Sequence, residues 1–179
     1  MLGDSLSAAY GIAAKRGWVA LLAERLERER PDYSVVNASI SSETTAGGLA
    51  RLPRALSQHK PAVVILELGG NDGLRGLPVE EMRNNLDAMI GLSKKAGARV
   101  LLVGMQIPPN YGPEYTREFK TAFGALARRH KTAWAPFLLE GMADDLRLFQ
   151  PDRIHPTEEA QPILLENVWK ALRPMLESP

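Results

Sequence analysis

The apolar residues of this chain follow two patterns that alternate along it. Residues 62–68 and 99–105 are nearly continuous apolar runs, which predicts strands buried on both faces, as in a parallel sheet. Shorter apolar stretches predict strands at residues 33–37 and 132–136. Elsewhere apolar residues recur at helical spacing with charged residues between them. The first such set is Trp18, Val19, Leu22 and Leu26.

Boundary residues mark the ends of the predicted helices. The polar stretch at residues 38–48 leads into a helix that should end near His59-Lys60-Pro61, where basic residues precede a proline. The other helices are predicted at residues 78–95, 114–129 and 157–176. Strands and helices therefore alternate, which predicts an α/β domain with a parallel sheet and right-handed crossovers.

Every unusual loop of the chain falls on one edge of this predicted sheet. Ser5 and the loops at residues 37–42, 69–72 and 107–111 all follow predicted strands. In an open parallel sheet, ligands bind at the carboxyl ends of the strands. We therefore expect the functional residues of the protein to lie along that edge.

The composition narrows the class of protein. The chain has 179 residues, enough for a single domain spanning residues 1–179, and its net charge of +1 gives no general attraction to nucleic acid or an anionic membrane. No apolar run reaches the roughly 18 residues of a membrane span, and no signal peptide is recognised. The absence of cysteine excludes disulfides and thiol catalysis. Because metal-site and phosphate-loop motifs are also missing, we expect neither a metal nor a cofactor.

Ser5 stands in the stretch Gly3-Asp4-Ser5-Leu6-Ser7, directly before an apolar-patterned segment. A strand-to-helix turn presents a nucleophilic serine in this way, although serine and aspartate also cap ordinary helix starts. Only four residues precede Ser5. Either the first strand is very short, or residues that could include an export signal are missing before Met1.

One of the three histidines has an acidic neighbour in a stiff loop. His59 and His130 occur at basic helix ends, which predicts solvated helix termini. His155 lies three residues after Asp152, between two prolines. A carboxylate at this spacing can accept the Nδ1–H and leave Nε2 free to act as a base. The spacing is equally consistent with a local hydrogen bond that only holds the loop.

Gly69-Gly70-Asn71-Asp72 follows the clearest strand. Glycine allows close approach of a ligand to the backbone, and the Asn71 amide is a donor suited to a developing oxyanion. A plain turn is the alternative, since these are turn residues. We interpret Asp72 as a capping or turn residue, and Asn37 as a residue that holds its loop through side-chain hydrogen bonds.

Together these blocks resemble the SGNH hydrolases, also called GDSL esterases, and within them the bacterial arylesterase, acyl-CoA thioesterase I and lysophospholipase L1 group. The resemblance covers essentially the whole chain. It implies a flavodoxin-like three-layer α/β/α fold with a central parallel sheet, the SGNH hydrolase fold. The matching stretches are Gly3-Asp4-Ser5-Leu6-Ser7-Ala8, Asn37-Ala38-Ser39-Ile40-Ser41, Gly48-Leu49-Ala50-Arg51-Leu52-Pro53, residues 67–76, Pro109-Asn110-Tyr111-Gly112 and Ile154-His155-Pro156.

The resemblance also implies the role of each site residue. Ser5 would be the nucleophile, His155 the base and Asp152 its orienting partner. The Asn71 side chain and the backbone N–H groups of Ser5 and Ser42 would form the oxyanion hole. The family has glycine where this chain has Ser42, so serine would carry strain if the loop needs a positive φ there. The acyl pocket is expected among Gly70, Leu74, Leu77, Ile107, Pro108 and Tyr111.

The implied function is that of a serine esterase or thioesterase that hydrolyses carboxylic esters through an acyl-enzyme. Its substrates would be aryl or short-to-medium acyl esters, with acyl-CoA and lysophospholipids as further candidates. We expect a small-molecule ester or thioester partner, no nucleic acid, no integral membrane segment and a monomer; the resemblance suggests a periplasmic or secreted protein. The alternatives are a carbohydrate acetylesterase of the same superfamily and a non-catalytic flavodoxin-like binding module.

Overall fold

The computed structural model describes residues 1–177 and contains one parallel sheet with strand order β1-β2-β3-β4. The strands are β1 (Leu2–Gly3), β2 (Val63–Glu67), β3 (Arg99–Val103) and β4 (Ala133–Ala135). The helices are α1 (Trp18–Glu29), α2 (Thr45–His59), α3 (Gly70–Leu74), α4 (Val79–Lys95), α5 (Pro113–His130) and α6 (Gln161–Glu177), with short 3-10 helices at Ala14–Arg16, Pro109–Tyr111 and Leu146–Leu148.

The two faces of the sheet are covered by different helices. Val64 and Leu66 of β2 pack in one core with side chains from α2, α4 and α5. Ile65, which points to the other face, packs in a second core with α1 and α6. Burying a side chain of this size stabilises the fold by about 1.5–3 kcal/mol. Because helices cover both sides of the sheet, a central strand carries apolar residues on both of its faces. The predicted three-layer α/β/α fold is confirmed.

Two local features differ from the sequence-based expectation. Residues 33–37 do not form a strand, so the predicted strand is wrong. The segment still contacts the start of β1: Met1 N donates to Val36 O (2.8 Å), and Ala38 N–H donates to Met1 O (2.9 Å). The stretch after β2, for which a plain turn was the alternative interpretation, forms the short helix α3.

The carboxyl ends of the strands gather the loops that carry the candidate residues. The ends of β1 and β2 are in register, with Gly3 opposite Glu67. An apolar groove of about 520 Å³ opens elsewhere, near the amino end of β2, and none of the predicted site residues lines it. Within residues 1–177, no helix combines the length and apolar content needed to cross a membrane.

Candidate active site

Ser5 lies two residues beyond the end of β1, where the chain turns sharply. The Ala8 N–H donates to Asp4 O (2.9 Å), and the Tyr10 N–H donates to Ser5 O (3.1 Å). These bonds wind residues 4–10 into a compact turn. Ser5 is 9% exposed, so it is largely buried and does not stand on a free surface.

Ser5, His155 and Asp152 form a continuous chain of hydrogen bonds. Ser5 Oγ lies 2.9 Å from His155 Nε2, and His155 Nδ1 lies 2.6 Å from Asp152 Oδ2. The carboxylate fixes the Nδ1–H tautomer, which leaves the lone pair of Nε2 directed at the serine hydroxyl. The structure thus brings together, across 150 residues of sequence, the groups that an acyl-transfer site requires.

The loop that carries His155 is held from both sides. Asp152 Oδ1 accepts the N–H groups of Ile154 (2.9 Å) and His155 (3.0 Å), and the Gln150 N–H donates to His155 O (2.8 Å). Gln150 Nε2 also donates to Tyr10 O (2.9 Å), which ties this loop to the serine turn. Sequence reasoning missed Gln150 because nothing in its neighbourhood signals a contact 140 residues away.

An aromatic ring lies against the histidine. The ring centroids of Tyr10 and His155 are 4.4 Å apart, with an interplanar angle of 40°. Such a tilted contact limits the rotation of the imidazole. Tyr10 was another residue that the sequence did not single out.

The charge of Asp152 is stabilised locally. Partial burial raises the pKa of Asp152, but the hydrogen bonds from the His155 N–H, the His155 ring and the Ile154 N–H outweigh this effect and lower the pKa to about 2. Asp152 is therefore ionised throughout the neutral range. An ionised Asp152 can stabilise an imidazolium that forms during a reaction.

The Asn71 amide lies next to both the serine turn and the loop at residues 37–42. Asn71 Nδ2 donates to Glu43 O (2.9 Å) and, over a longer distance, to Asp4 Oδ2 (3.3 Å). Asn71 occupies this place because α3 starts three residues after the end of β2, with Gly69 as its N-cap. Gly69 has φ +119°, a backbone conformation open to glycine and costly for other residues.

The loop at residues 37–42 is anchored to the same turn. The Ile40 N–H donates to Gly3 O (3.0 Å), and Asn37 Nδ2 donates to Ser7 O (2.8 Å). Asn37 thus makes the side-chain hydrogen bonds expected of it. Asp72 is buried and accepts bonds from Thr45 N–H and Thr45 Oγ1 (2.9 and 2.5 Å), so it caps the start of α2.

Ser42 adopts the left-handed backbone conformation that glycine favours. Its φ is +64°. No hydrogen bond formed among residues 1–177 uses the Ser42 N–H, while Ser42 O accepts a bond from Arg75 Nη2 (3.1 Å). The N–H therefore remains free to act as a donor, and the backbone carries the strain that a positive φ imposes on serine.

Replacing Ser42 with glycine should stabilise the protein by about 1 kcal/mol, because glycine adopts a positive φ without steric cost. We expect kcat to change by no more than a few-fold, since the N–H is retained. Thermal unfolding and ester hydrolysis measure the two effects. The matched control is Lys60→Gly, at φ +43° and outside the candidate site. A large rise in kcat limited to Ser42→Gly would contradict the view that serine leaves the donor intact.

The residues expected to line an acyl pocket differ in how far they are exposed. The Tyr111 hydroxyl donates to Leu74 O (2.8 Å), which joins the two flanking loops, and Leu77 is 36% exposed. Ile107, however, packs in the core against α5 and offers little surface to a ligand. Gly70 is buried and Pro108 is exposed. Further exposed apolar side chains that the sequence did not indicate are Tyr10, Ile40 and Ile154.

The other two histidines lie outside this site. His59 is exposed at the end of α2, as predicted, but His130 is partly buried, with its Nε2 2.8 Å from Asp87 Oδ1. No group of three or more histidine and acidic side chains that could hold a metal ion occurs within residues 1–177.

Comparison with known proteins assigns the chain to one family. A sequence model of the GDSL-like Lipase/Acylhydrolase family matches residues 1–162. The chain is 54% identical over 176 residues to Esterase TesA from Pseudomonas aeruginosa, covering 98% of this chain and 88% of that protein. It is 42% identical over 172 residues to an arylesterase from Vibrio mimicus, covering 96% and 86% of the two chains.

A third relative has a compound name. Thioesterase 1/protease 1/lysophospholipase L1 from Escherichia coli is 40% identical over 176 residues, covering 98% of this chain and 83% of that protein. Among solved structures, the crystal structure of TesA superimposes with a TM-score of 0.94 and covers 97% of both chains. The predicted fold and the prediction of an ester-hydrolysing enzyme are confirmed.

Proposed function

The chain belongs to the GDSL-like lipase/acylhydrolase family and is an ester hydrolase, and we propose that it works by a two-step acyl transfer in which Ser5 is the nucleophile. The observation that carries this proposal is the chain of hydrogen bonds from Ser5 Oγ to His155 (2.9 Å) and on to Asp152 (2.6 Å). A serine hydroxyl is a weak nucleophile until a base at this distance accepts its proton.

In the first step, Ser5 Oγ attacks the carbonyl carbon of the ester as its proton moves to His155 Nε2. Asp152 holds the Nδ1–H and stabilises the imidazolium that forms. His155 then protonates the leaving alcohol or thiol, and an acyl-enzyme remains on Ser5. In the second step, His155 activates a water molecule that releases the carboxylic acid.

The negative charge on the carbonyl oxygen needs donors placed in advance. We assign this role to the Asn71 amide and to the N–H groups of Ser5 and Ser42. Asn71 donates more weakly to Asp4 (3.3 Å) than to Glu43 O (2.9 Å), so the oxyanion would replace the bond to Asp4. The bond to Glu43 O would keep the amide in place during the reaction.

Replacing Asn71 with alanine should lower kcat on the order of 10²-fold with little change in KM, because the amide bonds the oxyanion more strongly than the substrate carbonyl. Steady-state hydrolysis of p-nitrophenyl butyrate measures both constants. Asn167→Ala is the matched control: Asn167 also donates to backbone carbonyls, of Leu138 and Glu140, but lies on α6. A rise in KM without a fall in kcat would contradict the oxyanion role.

For the substrates, we propose aryl esters and short-to-medium acyl esters, with acyl-CoA thioesters and lysophospholipids as further members. The names of the relatives support this range. The exposed side chains of Tyr10, Leu77 and Ile154 offer apolar contact for an acyl chain. We also propose that the protein acts as a monomer on small molecules and does not bind nucleic acid.

A panel of p-nitrophenyl esters from acetyl to dodecanoyl, together with an acyl-CoA and a lysophosphatidylcholine, tests this range. We expect kcat/KM to be highest beyond acetyl. Activity on acetyl esters alone would instead support a carbohydrate acetylesterase. Labelling by a fluorophosphonate, followed by peptide mapping, tests the nucleophile independently, since the adduct should lie on Ser5 and not on Ser7.

A further inference from the structure

Two acidic side chains that the proposed mechanism does not use are buried directly behind the nucleophile. Asp4 and Glu67 are each 2% exposed. Asp4 precedes Ser5 in the turn, and Glu67 ends β2 opposite Gly3. A side chain at Gly3 would come within 2.8 Å of Glu67 Oε2, so the glycine leaves the space that the Glu67 carboxyl group occupies.

The two acids bond to each other and to the turn. Glu67 Oε2 accepts hydrogen bonds from Ser7 Oγ (2.6 Å) and the Asp4 N–H (3.4 Å). Asp4 Oδ1 accepts the Leu6 N–H (3.0 Å), and both acids are buried, with the Asp4 backbone against the Glu67 carboxyl group. Two carboxyl groups buried this close together cannot both ionise without a large cost in free energy, so one of them is protonated.

The hydrogen bonds favour a proton on Glu67: both carboxyl oxygens of Asp4 accept a donor, from Leu6 N–H and Asn71 Nδ2. The donors to Glu67 reach Oε2, which leaves Oε1 to carry the proton. Burial raises the pKa of Glu67 well above its ordinary range, and the neighbouring charge of Asp4 raises it further. Burial also raises the pKa of Asp4, to about 6, against the opposing effects of the Leu6 N–H and His155. Beyond the pair itself, the titratable groups that face it are His155 and Asp72. The pair therefore carries a single negative charge near pH 7.

The charge on the Asp4 and Glu67 pair affects the Asn71 amide, the proposed oxyanion donor. Asp4 Oδ2 lies 3.3 Å from Asn71 Nδ2, on the bond that the oxyanion would replace. An Asp4 carboxylate that held its full charge would compete with the oxyanion for that hydrogen and repel it. A proton shared from Glu67 draws charge away from Asp4 and weakens this competition.

We propose that Glu67, in its protonated form, is a positioning residue for ester hydrolysis: by donating to Asp4, it releases the Asn71 amide for the oxyanion while Ser7 and the serine turn stay in place. The inference rests on the proposed role of Asn71 as an oxyanion donor. Glutamine should replace Glu67 well, because it is neutral, donates to Asp4 and accepts from Ser7.

The test is a double-mutant cycle measured with p-nitrophenyl butyrate. We expect Glu67→Gln to keep kcat within about 3-fold of the wild type, and Glu67→Ala to lower kcat about 10-fold with KM nearly unchanged. In the Asn71→Ala background, Glu67→Ala should have little further effect, because the two residues act on the same step. Circular dichroism and thermal unfolding identify the folded fraction of each variant.

Two results would overturn the inference. One is a fall in kcat for Glu67→Ala that is equally large in the Asn71→Ala background, which would indicate a purely structural role. The other is a fall in kcat for Glu67→Gln as large as that for Glu67→Ala, which would mean that an ionised carboxylate is needed. An Asn71→Ala variant with wild-type kcat would instead refute the oxyanion assignment, so the two failures are distinguishable.

Discussion

Replacing Ser5 with alanine is expected to lower kcat for p-nitrophenyl butyrate by about 10⁴- to 10⁶-fold, the range found when a serine hydrolase loses its nucleophile. Alanine removes the only atom that can form the acyl-enzyme in the proposed mechanism. The fold should not change, because the turn is held by backbone bonds such as Ala8 N–H to Asp4 O, which alanine leaves intact. His155 is partly exposed, so water can satisfy its free Nε2.

The control for this experiment is Ser93→Ala. Ser93 is a buried serine on α4 whose hydroxyl donates to Met89 O, and it lies outside the site. We expect wild-type kcat for Ser93→Ala and similar circular dichroism spectra for both variants. Hydrolysis by Ser5→Ala at the wild-type rate would place the nucleophile elsewhere and overturn the mechanism.

The fold could be predicted from the sequence because a central parallel strand must be apolar on both faces. Residues 62–68 and 99–105 carry this pattern, and the structure places β2 and β3 within them. Once the strands are known, the rule that parallel strands present their carboxyl ends to a ligand places Ser5 and Asn71 on one edge. The pairing of His155 with Ser5 was implied by the family resemblance, and not by periodicity or spacing.

Other features depended on contacts that the sequence does not encode locally. Residues 33–37 have strand-like composition, but joining a sheet also depends on hydrogen bonds to a neighbouring strand, and the structure shows no strand there. Residues 69–72 are turn residues, which made a plain turn one of the two interpretations of this stretch, yet the bond of Gly73 N–H to Gly69 O closes a helical turn there.

Glu67 shows how a signal can be present and still be overlooked. It is the one acid in the apolar run of residues 62–68, and a carboxyl group in a strand buried on both faces needs a partner. That partner, Asp4, lies 63 residues earlier and is recognisable only once β1 is paired with β2. Likewise, the strain at Ser42 depends on a φ that only the folded loop defines.

Replacing Asp152 with asparagine should lower kcat by about 10³-fold, mainly by stabilising the wrong histidine tautomer. The amide oxygen of the introduced side chain can still accept the Ile154 and His155 N–H groups, so the loop keeps its shape. The amide NH₂ then faces Nδ1 and acts as a donor, which moves the imidazole proton to Nε2, where it opposes Ser5. The Asp152 side chain is 39% exposed, so water can restore the correct tautomer in part of the population, and the loss should be smaller than the roughly 10⁴-fold typical of a buried aspartate.

The chain offers a matched control for this substitution in Asp145. Asp145 Oδ1 also accepts a backbone N–H two residues ahead, from Arg147 (3.1 Å), and the side chain pairs with the Arg147 guanidinium. Asp145→Asn should therefore disturb a loop of the same kind without changing kcat. If Asp152→Asn kept wild-type kcat as well, the Asp152–His155 bond would only hold its loop, which is the alternative that the spacing of the two residues left open. A fall in kcat for Asp152→Asn but not for Asp145→Asn would instead show that the carboxylate acts on the imidazole. Of these two aspartates, Asp152 contacts a histidine and Asp145 contacts an arginine.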